Sequence, residues 1–84
     1  MAKLIRQDGQ VTEVTPKNGT DFKWEELHDM IGGYIEIVRV RGGKILVVDE
    51  EGLCKGLDTN ITASVIAGQT IVGDAVLCED RQVR

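Results

Sequence analysis

The paired glycines Gly42-Gly43 constrain this chain more than any other feature. They interrupt two runs rich in β-branched residues, Tyr34-Ile35-Glu36-Ile37-Val38-Arg39-Val40 and Ile45-Leu46-Val47-Val48-Asp49. Glycine takes the positive φ of a tight reversal without steric cost, so the pattern predicts a β-hairpin over 34–49 with a two-residue loop. That loop length sets a register in which Arg41 faces Lys44, Val40 faces Ile45, Val38 faces Val47 and Glu36 faces Asp49.

Two candidate sites follow from this register. Glu36 and Asp49 stand side by side, and opposed like charges destabilise a sheet unless one takes a proton, a cation bridges them or water screens them. The pair reads as the acid/base centre of a small enzyme, or as a wet hairpin end. On the other face the register gathers Arg39, Arg41 and Lys44 at the tip, beside Ile35, Ile37, Leu46 and Val48. Guanidinium forks offer paired donors to an oxyanion, so this rim suits a phosphate-bearing small molecule or an acidic protein patch. The alternative is a solvated tip that blunts aggregation.

The rest of the chain frames this hairpin. Residues 3–7 and 10–15, joined by Asp8-Gly9, read as a first hairpin ended by Pro16. Thr20 or Asp21 is placed to cap a helix whose Trp24, Leu27, His28 and Ile31 recur at helical spacing, and Gly32-Gly33 stops it. Asp49-Glu50-Glu51-Gly52 and Leu53 to Leu57 form a turn-rich connector. Asp58, Thr59 or Asn60 caps a second short helix through Ala67, and Gln69 to Cys78 reads as a last strand in which Gly73-Asp74 marks a bulge or a close approach of a ligand to the backbone. The polar tail 79–84 is expected to fray. The reading is one α+β domain over 1–84, ordered β-β-α-β-β-α-β, with a small mixed or antiparallel sheet and two short helices. The 34–49 hairpin is expected at the sheet centre, with Trp24, Leu27 and Ile31 packed on it.

Composition narrows the function classes. A domain of 84 residues buries only about 60% of its unfolded surface, and the hairpin is apolar on both faces. The helices therefore divide between the faces or a second copy covers one of them, and a homodimer or larger homo-oligomer is expected. Ten Lys and Arg against 14 Asp and Glu give a net charge of −4, which argues against extended nucleic-acid binding. No apolar stretch reaches the roughly 18 residues of a membrane span, so a cytoplasmic protein without membrane association is expected. Cys54 and Cys78 with the single His28 match no recurrent zinc spacing, so neither metal nor cofactor is expected, and no disulfide in a reducing compartment. Dinucleotide, P-loop and zinc-protease motifs are missing, and Phe22, Trp24 and Tyr34 are too few for a base-stacking platform.

Four short motifs carry a resemblance: Gly33-Tyr34-Ile35-Glu36, Asp49-Glu50-Glu51-Gly52, Gly56-Leu57 with Asn60-x-x-Ala63, and Ile71-Val72-Gly73-Asp74. In this order they resemble a family of short proteins of unknown function found in phages, prophages and conjugative elements, over residues 22 to 78. Members often carry proline after the Gly-Leu pair, where this chain has Asp58. The resemblance brings no catalytic residues. It implies an accessory protein of a mobile element that binds and neutralises a host defence component, either a protein or a nucleotide-type signal, in the host cytoplasm. Asn60, inside a family-like motif, joins Arg39, Arg41 and Lys44 as a candidate binding residue, although asparagine at a helix start is also a natural cap. A small enzyme using Glu36 and Asp49, and a structural or regulatory phage protein, are the competing readings.

Overall fold

A computed structural model describes residues 2–19 and 21–80. The strands are β1 (Ala2–Ile5), β2 (Val11–Val14), β3 (Ile35–Arg39), β4 (Lys44–Asp49) and β5 (Ala75–Glu79), and the helices are α1 (Trp24–Ile31) and α2 (Ile61–Ala67). The chain order β-β-α-β-β-α-β and the α+β class are those expected from the sequence. All five strands form one sheet, ordered β2-β1-β5-β4-β3 and antiparallel at every junction. The 34–49 hairpin is therefore not central. The last strand to be made, β5, holds the middle position, because Val76 and Cys78 are buried on one face and Ala75 on the other. A strand enclosed on both faces fits a site between two layers better than one ending in Arg39.

The helices divide between the two faces. On one face Leu27 of α1 packs with Leu4, Phe22, Ile35, Ile45, Val47, Val76 and Cys78; on the other Ala63 of α2 packs with Ile5, Leu46, Val48, Ile71 and Ala75. α1 packs through Leu27 and Ile31, but Trp24 is 55% exposed and does not belong to the packed stripe. Phe22 takes that place. It precedes the N-cap Lys23 and is fully buried in the same cluster as Leu27, the fourth helical residue, in the arrangement of a hydrophobic staple. Asp21 does not cap the helix: its side chain accepts a hydrogen bond from Asn18 Nδ2 at 2.8 Å, while Glu26 accepts one from the Lys23 N–H. Thr20 and the tail from residue 81 lie outside the described residues.

Both hairpin loops are one residue longer than expected. Val40 N–H bonds to the Lys44 carbonyl across Arg41-Gly42-Gly43, and Arg6 N–H bonds to the Gln10 carbonyl across Gln7-Asp8-Gly9. Gly42 and Gly43, at φ 76° and 71°, make the second reversal. The extra loop residue resets the cross-strand pairs to Ile35 with Asp49, Glu36 with Val48, Ile37 with Val47, Val38 with Leu46 and Arg39 with Ile45. The last strand is also shorter than expected. It begins after Gly73 and Asp74, which belong to the preceding loop.

Candidate functional site

The one-residue shift takes both sequence-derived sites apart. Asp49 now faces α1 beside Ile35, whereas Glu36 faces the α2 side beside Val48, so the two carboxylates lie on opposite sides of the sheet. Asp49 is buried and fully engaged. Its Oδ2 accepts a hydrogen bond from Lys55 Nζ at 2.7 Å, and its Oδ1 accepts one from the Glu51 backbone N–H at 2.8 Å. Lys55 also donates to the Gly32 carbonyl at the end of α1, at 3.3 Å. A Cβ on Gly33 would stand 3.2 Å from Asp49 Oδ2 and would displace the Lys55 ammonium from its present position. Lys55, singled out by no sequence signal, closes this ion pair across six residues of connector.

The basic rim is divided in the same way. Arg39 pairs with Ile45 on the α1 side and bonds to Asp80 at 2.9 Å, while Lys44 pairs with Glu79 in the adjoining ladder. Arg41 sits in the loop. Of the three cations, only Arg39 and Arg41 line an open groove of about 590 Å³ that runs between residues 39–41 and residues 65–68 at the end of α2. A smaller groove of about 140 Å³ lies at the other end of β3, beside Glu36, Glu50 and Leu53.

Asn60 is an internal brace with no hydrogen-bonding group left for a ligand. It is fully buried. Its Oδ1 accepts from the Ala63 N–H at 3.1 Å, capping α2, and its Nδ2 donates to the carbonyls of Ile5 and Gly73, each at 2.9 Å. The other motif residues have comparable tasks. Gly52 abuts Val72, Gly73 abuts Leu57 at φ 76°, and Asp74 accepts a hydrogen bond from the Gln7 N–H at 2.9 Å. The four motifs thus converge on the connector that ties α2 to both halves of the sheet.

α2 offers an exposed apolar surface. Ile61 and Val65, one turn apart, are 73% and 77% exposed, and Leu53 also lies open to solvent. No charged residue occurs from Thr59 to Val72, in a chain that is 29% charged. That gap, with the Ile61/Val65 spacing, is the sequence signal that would have located this surface. His28 is exposed and meets the Tyr34 ring edge-on at 5.9 Å. Among the described residues, no group of three or more His, Cys, Asp or Glu is placed to hold a metal ion, and no helix is long and apolar enough to cross a membrane.

Residues 2–83 match the family described as a domain of unknown function, DUF3846. The chain belongs to that family. The match takes in the first hairpin, which the four motifs leave out, and the bonds from Asn60 to Ile5 and from Asp74 to Gln7 tie that hairpin to the motif cluster. No curated protein and no solved structure matches the chain. In this DUF3846 chain the residues of the four motifs brace the fold, and the exposed apolar residues of α2 are outside that bracing.

Proposed function

We propose that this protein is a non-catalytic accessory protein of a phage or other mobile element that binds and neutralises a host defence protein in the host cytoplasm. The observation that carries the reading is the uncharged, solvent-facing side of α2, where Ile61 and Val65 stand exposed beside the 590 Å³ groove. Exposed apolar patches bordered by polar residues mark protein contact sites. The mobile-element setting comes from the motif resemblance. The acid/base alternative loses its premise once Asp49 is bound by Lys55 and Glu36 faces away from it. A nucleotide-type signal finds less support, since only Arg39 and Arg41 of the three cations line one groove and Arg39 is bonded to Asp80.

The test is phage plating on hosts that each carry one defence system. Expression of the protein raises plating of a restricted phage on at least one host, and Val65→Glu abolishes the rise at unchanged protein level and unchanged circular dichroism. No rise on any host, or full rescue by the Val65→Glu variant, overturns the reading.

A further inference from the structure

β3 is the outer strand of the sheet, and its inner side is occupied by β4. Val40 N–H bonds to Lys44, and Glu50 N–H bonds to the Tyr34 carbonyl, which makes 34 and 40 inward-bonded positions. In an antiparallel ladder such positions recur at every second residue. Ile35, Ile37 and Arg39 therefore direct their N–H and C=O groups away from the sheet, and no described strand meets them. Ile37 is 41% exposed on this edge, with Tyr34 exposed at its start and Ile66 exposed across the groove.

Charge is distributed unevenly along the edge. Its start carries Glu36, with Glu50 beside it in the smaller groove, and its end carries Arg41 in the larger one. Neither Glu36 nor Arg41 has an ion-pair partner among the described residues. A strand that adds here must bring a base to one end and an acid to the other, in the opposite order. The β3 edge of a second copy, running antiparallel, does so.

We propose that the protein forms a two-fold dimer in which β3 pairs antiparallel with β3 of a second copy, joining the two sheets edge to edge. A two-fold axis normal to the sheet preserves its faces, so the pairing must centre on one residue. Centring on Glu36 or on Arg39 sets like charges directly opposite each other, which is destabilising. Centring on Val38 sets Glu36 opposite the partner's Val40 and next to the partner's Arg41. It also lets Ile37 and Arg39 exchange backbone hydrogen bonds with the partner's Arg39 and Ile37. Centring on Ile37 instead moves Glu36 two residues further from that arginine. Main-chain bonds supply attachment and the charge order supplies register, the division of labour of strand addition in general. The two α2 helices then lie on one side of a continuous sheet. This inference is independent of the defence target proposed above, since it concerns β3 and not the outer side of α2.

Light scattering and charge reversal test it together. At micromolar concentration the wild-type protein runs at twice the mass of one chain. Glu36→Arg and Arg41→Glu each shift it to monomer, and the double variant E36R/R41E returns to dimer. A cross-link supplies the second readout. In a Cys54→Ser background Val38→Cys oxidises to a covalent dimer, because facing residues on a two-fold axis at a non-hydrogen-bonded position come within disulfide reach. A monomeric wild type, a dimer indifferent to all three charge variants, or a double variant that stays monomeric overturns the proposal.

Discussion

The Asp49 carboxylate and the Lys55 ammonium meet at 2.7 Å, the carboxylate buried and the ammonium at the surface. Removing only the cation leaves a buried charge with a single remaining hydrogen bond, from the Glu51 N–H. Lys55→Met is therefore expected to cost about 1–2 kcal/mol, discounted for the half-open lysine. Asp49→Asn, which removes the charge and keeps the shape, should cost less. Urea unfolding of the two variants checks the order, and equal or reversed losses would contradict it.

Asn60 gives the largest polar effect expected in the molecule. Asn60→Ala deletes the cap on α2 and leaves the buried carbonyls of Ile5 and Gly73 without their donor. The expected loss is about 2–4 kcal/mol, from a cap and one or more unsatisfied buried groups. Asn60→Asp keeps the cap but turns a carboxylate oxygen toward two carbonyl oxygens, so it should be no better than alanine. Denaturant midpoints for both variants measure this.

On the α1 face the structure separates two residues that helical spacing had grouped. Leu27 is fully buried, and Leu27→Ala should cost about 2–5 kcal/mol. Trp24 is exposed, and Trp24→Ala should remain within about 0.5 kcal/mol. Thermal or urea unfolding that ranked Trp24 above Leu27 would contradict the packing described for α1.

The two thiols should behave differently. Cys54 is exposed and Cys78 is buried, so a thiol reagent should label one group in the folded protein and two after unfolding. Burial, and then the neighbouring Asp80 and Glu79 carboxylates, push the Cys78 thiol from 9.0 up to about 11. The unfolded chain releases that proton first. From about pH 9 to 11 it therefore binds fewer protons than the folded one, and stability falls as pH rises. The loss attributable to Cys78 is about 2 kcal/mol, and Cys78→Val should lack it. Unfolding curves at pH 8 to 11 for both proteins test the difference.

Local chemistry was sufficient for the parts of the fold that depend on nearest neighbours. The turn glycines placed both hairpins, Asn60 and Gly68 bounded α2, and Leu27 and Ile31 oriented α1. The site did not follow, because it depended on a count of loop residues. Two- and three-residue loops both accept the Gly42-Gly43 conformations, and the strands could not choose between them. A one-residue slip is normally penalised because it turns an apolar face to water. Here Ile45 and Val47 on one face are as apolar as Leu46 and Val48 on the other, so the pattern reads equally well in either register. The partner of Asp49 was likewise hidden, since Lys55 reaches it only through the folded connector.

The sequence by itself determined the order of elements, their class and, apart from the start of β5, their boundaries to within a few residues, because turn propensity and helical periodicity act over a handful of neighbours. Only the tertiary structure decided that β5 lies at the centre, that Glu36 and Asp49 part to opposite faces, and that Phe22 displaces Trp24 from the core. Each of these depends on contacts between segments distant in the chain, where total burial selects among arrangements that local preference leaves equivalent.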